Sequence, residues 1–217
     1  MNDDFIKQRK FRQWLLVPIA LITIAFGWKY RWISFIVPIV MVLGIGSLLF
    51  HRGRYFCGNF CPRGAFYDRI LQPLSRKKRI PDFFRNKIFR WVMFFILFGV
   101  FILQAIKPPY TVAHFGLMFW IMCTVTTILG VILGIFFSQR TWCVFCPIGT
   151  LISSVGKDEH PLSFEKSVCI GCKLCEKVCP LNIPILANSS SGYLDNRDCI
   201  KCMSCTAVCP KKALHIS

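Results

Sequence analysis

Cys169-Ile170-Gly171-Cys172-Lys173-Leu174-Cys175-Glu176-Lys177-Val178-Cys179-Pro180 and Cys199-Ile200-Lys201-Cys202-Met203-Ser204-Cys205-Thr206-Ala207-Val208-Cys209-Pro210 share one spacing, C-x-x-C-x-x-C-x-x-x-C-P. Two-residue gaps let three thiolates wrap one cubane from a tight loop whose N–H groups point at the sulfurs, while the fourth cysteine reaches the other cluster. The spacing therefore predicts one [4Fe–4S] cluster on Cys169, Cys172, Cys175 and Cys209, and a second on Cys179, Cys199, Cys202 and Cys205. Each fourth cysteine is expected to open a short helix, with its proline turning the chain away and removing a donor. Leu162-Ser163-Phe164, Tyr193-Leu194 and Ala213 to Ile216 read as short strands around the two loops. Zinc also uses C-x-x-C pairs and disulfide frameworks use many cysteines, but neither accounts for two full runs ending in proline. Cluster-bearing thiolates call for a reducing compartment such as the cytoplasm.

Outward from this module the composition changes. Apolar residues make up 54% of the 217, above the ~45–50% of soluble proteins, and the excess lies before Gly156. The chain reads as multidomain, with a four-helix all-α transmembrane domain over 1–156 and an α+β ferredoxin-like domain over 157–217. Four apolar runs fill the first part: Trp14 to Trp28, Trp32 to Phe50, about Phe89 to Ile106, and about Phe115 to Phe137. The last three suit a hydrocarbon core of ~30 Å at ~20 residues each; the first is short, contains Pro18, and needs flanking residues or local thinning. The basic residues before it suggest a signal peptide, but no small-residue cleavage site follows, so it reads as a retained span.

Charge sets the orientation. Of the net +17, residues 1–156 carry 19 Lys/Arg against 4 Asp/Glu, and residues 157–217 carry 8 against 6. Ten Lys/Arg lie between the second and third runs, residues 51–88, against one between the third and fourth. The positive-inside bias then puts both termini and the ferredoxin module in the cytoplasm of a multi-pass inner-membrane protein, the side its thiolates require. Basic charge beside apolar spans points to anionic lipid as a partner rather than nucleic acid. Arg76-Lys77-Lys78-Arg79 suits lipid headgroups, or an acidic ferredoxin or flavodoxin.

Two further cysteine pairs follow the second and fourth runs: Phe56-Cys57-Gly58-Asn59-Phe60-Cys61-Pro62-Arg63-Gly64 and Trp142-Cys143-Val144-Phe145-Cys146-Pro147-Ile148-Gly149. Both contain Phe-Cys-Pro-x-Gly, so the membrane half is a two-fold repeat of helix, helix, cysteine pair. Both pairs emerge at the same membrane face, and Cys57, Cys61, Cys143 and Cys146 supply four thiolates for a third iron–sulfur cluster. Zinc, redox disulfides or unliganded cysteines are the alternatives. Cys123 is left over and reads as a small core residue. His51 and His114 fall at opposite faces, so one haem cannot use both; His51 with Arg52 and Arg54 is a candidate quinone-headgroup site or a snorkelling interface.

With these motifs in place, residues 162–217 resemble a bacterial 2[4Fe–4S] ferredoxin. Nearly the whole chain resembles the NapH-like family of membrane-bound iron–sulfur proteins, relatives of the membrane half of NosR. That family pairs four spans with two Cys-x-x-x-Cys-Pro motifs and a C-terminal ferredoxin domain; here the second motif departs, being Cys143-x-x-Cys146-Pro147. The resemblance implies an electron-transfer component of an oxidoreductase complex. It would pass electrons between quinol or cytoplasmic carriers and membrane or periplasmic redox subunits. No residue reads as a nucleophile or general base. The reading from another class is a redox sensor or maturation factor.

Overall fold

The computed structural model describes residues 2–47, 53–108, 110–156, 161–187, 192–194 and 196–216. His51, Arg52, Pro109 and the end of the second apolar run lie outside them.

Apolar side chains without polar interruption make the long helices. Helix α1 (Asn2–Phe26) runs unbroken through Pro18; its first half carries Lys7, Arg9, Lys10 and Arg12, its second half the apolar run. A 3-10 turn (Ile33–Phe35) leads into α2 (Ile36–Gly46). After the two short helices α3 (Tyr55–Asn59) and α4 (Pro62–Phe66), a π-helical turn covers Tyr67–Leu71. Then come α5 (Lys87–Ile106) and α6 (Val112–Phe136). Asn86 and Thr111 cap these two by accepting from the backbone N–H of Ile88 and His114. At ~1.5 Å per residue they measure roughly 30 and 37 Å. Among the described residues these two are long and apolar enough to cross a membrane, while Ile33–Gly46 is a shorter apolar segment.

Helix α6 lies against α1, where Trp120 Nε1 donates to the Ile24 carbonyl at 2.9 Å. His114 contacts the Gln104 carbonyl at 3.1 Å across the α5–α6 turn. The second repeat ends in α7 (Thr141–Phe145) and α8 (Pro147–Val155). Arg76 and Lys78 donate their backbone N–H groups to Ile135 and Phe137 at the end of α6. This anchors the basic run while its side chains stay exposed.

The C-terminal part is a small sheet flanked by two loops. Strand β1 (Leu162–Phe164) pairs antiparallel with β2 (Leu214–Ile216), Leu162 opposite Ile216, and Tyr193 bridges Ser163 on the other edge. Helices α9 (Leu174–Lys177) and α10 (Ser204–Val208) follow the loops. The expectation that each fourth cysteine opens a helix is corrected. The third cysteines, Cys175 and Cys205, lie inside these helices, and the fourth come after them. The following proline disfavours helical backbone at the residue before it, and Cys209 accordingly turns extended at ψ 111°.

One apolar core joins the halves, running from Tyr67, Trp142 and Phe145 to Leu162, Leu181, Ile185 and Ile200.

Candidate iron–sulfur sites

The two loops of the C-terminal part repeat one backbone shape. Gly171 and Lys201 take positive φ (70° and 51°), as do Lys173 and Met203 (57° and 61°), at matched places after the first cysteine. Such alternation turns successive N–H groups toward one side and forms an anion-binding concavity of the kind that holds Fe–S clusters. Gly171 N–H already points at Cys169 Sγ, 3.4 Å away. Cys169, Cys172, Cys175 and Cys209 line one cavity, and Cys179, Cys199, Cys202 and Cys205 line another. The structure thus brings together each group of four. All thirteen cysteines are free of disulfides. No three His, Cys, Asp or Glu side chains among the described residues converge on a single ion position; the cysteines line cavities instead.

Near the membrane half the same residue types are built differently. Cys57 sits in α3 and Cys143 in α7. Cys61 and Cys146 take extended backbone, ψ 117° and 131°, because Pro62 and Pro147 follow and open α4 and α8. Proline therefore starts a helix after each cysteine here, whereas at Pro180 and Pro210 it follows one.

Two arginines stitch the repeats together, each three residues before a cysteine pair. Arg140 Nη1 donates to the Cys57 carbonyl at 2.9 Å, and Arg54 Nη2 donates to the Cys143 carbonyl. Gly64 and Gly149, each three residues after a pair, leave room for them: a Cβ at residue 64 would strike Arg140, and one at residue 149 would strike Arg54. The glycine of Phe-Cys-Pro-x-Gly is thereby explained. Each arginine also has a carboxylate. Arg140 grips Asp68 through two bonds of 2.8 and 2.7 Å, joined by Arg9 and by Gln13 at 2.9 Å. Arg54 meets Asp198 at 3.0 Å, and Arg90 grips the same carboxylate twice at 2.9 Å. Arg140 and Asp68 were missed in sequence; the matched offset of Arg54 and Arg140 from the cysteines was the available signal.

Guanidinium groups also face sulfur. Arg63 Nη2 is 3.6 Å from Cys146 Sγ, and Arg140 Nη1 is 3.8 Å from Cys143 Sγ. Around these four cysteines stand Arg9, Arg54, Arg63, Arg90 and Arg140 against Asp68 and Asp198. Surplus buried positive charge is costly unless an anion compensates it, and a cubane carried by four thiolates is such an anion. The donor set therefore fits a [4Fe–4S] group. Burial pushes the Cys57 thiol up to about 12 despite Arg54 beside it; a redox-active thiol is shifted the other way.

The C-terminal part is seated on this site through its second loop. Asp198, held by Arg54 and Arg90, immediately precedes Cys199. Ile200 presses its carbonyl so close to Gly58 that no Cβ fits there. Farther along, Ser138 Oγ donates to the Pro180 carbonyl at 2.6 Å, and Arg85 Nη2 to the Asn182 carbonyl at 3.1 Å. Cys123 lies on α6, its carbonyl accepting from Thr127 at 2.7 Å.

Comparison with known proteins agrees with this division. A family described as 4Fe-4S binding domain matches twice, over residues 33–81 and 112–158, so each match holds one cysteine pair. A 4Fe-4S dicluster domain matches residues 168–214. Two uncharacterized proteins of Methanocaldococcus jannaschii are similar. One is 29% identical, covering 78% of this chain and 67% of the relative; the other is 27% identical, covering 76% and 72%. The regulatory protein NosR of Pseudomonas aeruginosa is 25% identical over 78% of this chain, which corresponds to 26% of NosR. No solved structure matches.

Proposed function

We propose that this chain, a NosR/NapH-like 4Fe–4S protein, is a membrane-bound electron-transfer subunit carrying three clusters in series. Cys169, Cys172, Cys175 and Cys209 hold the outer cluster, and Cys179, Cys199, Cys202 and Cys205 the middle one. Cys57, Cys61, Cys143 and Cys146 hold the third, at the membrane face. Each bound cluster supplies one-electron oxidation and reduction. The chain's own residues set the order. The observation that carries the reading is the seat of the second loop: Ile200 lies against Gly58, and Arg54 joins Asp198 to the Cys143 carbonyl.

Residues 1–156 form a four-span domain and 157–217 the ferredoxin domain, with both termini cytoplasmic. The positive-inside bias supports this orientation, as does the meeting of both cysteine pairs at one end of the bundle. About 30 Å of hydrocarbon separates that end from the other face, so transfer across it takes a quinone or a partner's cofactor.

The test is iron and acid-labile sulfide per chain. About twelve iron atoms are expected, at four per cluster, and Cys61→Ala lowers that toward about eight. An unchanged count in Cys61→Ala refutes the shared membrane-face site. The reading as a redox sensor or maturation factor draws on the word "regulatory" in the names of the NosR relatives. Anaerobically reduced protein that no quinone analogue or soluble carrier reoxidises would favour it.

A further inference from the structure

Two loops of matching spacing and backbone shape have opposite surroundings. Ile200 is 2% exposed, beneath the membrane half, whereas its counterpart Ile170 is 62% exposed. Cys172 is exposed while its counterpart Cys202 is buried. Leu174, at 40% exposure, extends the uncovered apolar surface over the first cavity. Lys173 and Lys211 line that cavity's mouth, and Lys177 follows one helical turn after Lys173. All three are exposed, and none belongs to the ion pairs found among the described residues. The nearby Glu176 is turned inward, where it accepts from the Leu186 N–H at 3.0 Å; Glu165 faces Ser167.

From this we infer that the lysine-rimmed face over Cys169, Cys172 and Cys175 is the docking surface for an acidic soluble electron-carrier protein. A small apolar centre beside a cofactor, ringed by one sign of charge, suits a brief encounter that must be fast and oriented rather than tight. The basic run Arg76–Arg79 lacks this geometry: it borders neither cavity, and its backbone is tied to the end of α6. The inference rests on the relay reading, in which the outer cluster is the one open to water.

The experiment uses the full-length, iron-loaded protein in nanodiscs of zwitterionic lipid, with an acidic soluble ferredoxin as the probe. Wild-type affinity is expected to fall with added salt. The K173E/K177E/K211E variant is expected to bind about tenfold more weakly at low salt with unchanged iron and sulfide, while R76E/K77E/K78E/R79E binds as wild type. Wild-type affinity in the lysine variant overturns the inference, as does loss confined to the arginine variant. So does a lysine face that binds anionic vesicles and not the ferredoxin. Iron near eight per chain in the wild type sinks the three-cluster relay instead, and leaves the binding comparison readable.

Discussion

Gly58→Ala probes the joint between the two parts. A Cβ at residue 58 would stand 2.0 Å from the Ile200 carbonyl oxygen and 3.0 Å from its carbon. Non-bonded heavy atoms rest at ~3.5 Å or more, so the second cysteine loop must recoil by about 1.5 Å (3.5 minus 2.0). The obstacle is backbone, which cannot rotate aside as a flexible side chain would. Overpacking of this kind costs about 1–3 kcal/mol, which lowers the seated population relative to the unseated one by roughly 5- to 150-fold. Hydrogen exchange followed by mass spectrometry reads that change as faster exchange of amides in Asn196–Thr206. Amides in Cys169–Cys175 keep their wild-type rate, and iron content stays the same, since no cysteine is altered. Gly99→Ala is the control: a Cβ there meets nothing within 4 Å, so only the ~1 kcal/mol gain in helix propensity remains. Wild-type exchange of Asn196–Thr206 in Gly58→Ala would refute the seating argument.

Three further outcomes are expected. Asp198→Ala leaves Arg54 and Arg90, with side chains 1% and 9% exposed, without their carboxylate; chemical denaturation should show a loss of about 3–5 kcal/mol. Burial alone would raise the Asp68 pKa, but Arg140 and Arg9, with hydrogen bonds from Arg140 and Gln13, outweigh it and hold the carboxyl well below its usual range. Because the folded value lies below the unfolded ~3.9, the stabilisation is fully present above about pH 4 and lost as pH falls further. The stability gap between wild type and Asp68→Asn should therefore narrow below that pH in unfolding followed by tryptophan fluorescence. Arg63→Met removes a charged donor 3.6 Å from Cys146 Sγ, so a redox titration followed by electron paramagnetic resonance should show a lower potential for the membrane-face cluster.

Much of the architecture was legible because local chemistry dictates it. Apolar runs without charge specified α5 and α6 almost to the residue. The repeated cysteine spacing told which cysteines would share a cavity, and β1 and β2 appeared where short apolar segments flank the loops. The fate of the fourth cysteines was misread: the same Cys-Pro pair ends one helical turn in the C-terminal part and begins one near the membrane, and only the preceding backbone distinguishes the cases. The second apolar run, continuous in sequence from Trp32 to Phe50, yields a helix of shorter described extent, Ile33–Gly46.

Sequence by itself determined the ligand inventory, because loops of two- and three-residue gaps are closed by short-range geometry that no distant contact can supply. Tertiary structure decided what those ligands are near. Arg54 and Arg140 each reach across to a cysteine carbonyl about 85 residues away (89 and 83 positions), and Asp68 and Asp198 answer them from elements that no spacing rule connects. Matching cysteine loops became unequal for the same reason. One lies under Gly58, whose missing side chain admits Ile200, and the other lies open. Burial and long-range charge depend on which surfaces meet once the chain has packed, and those two terms distinguish the seated loop from the exposed one.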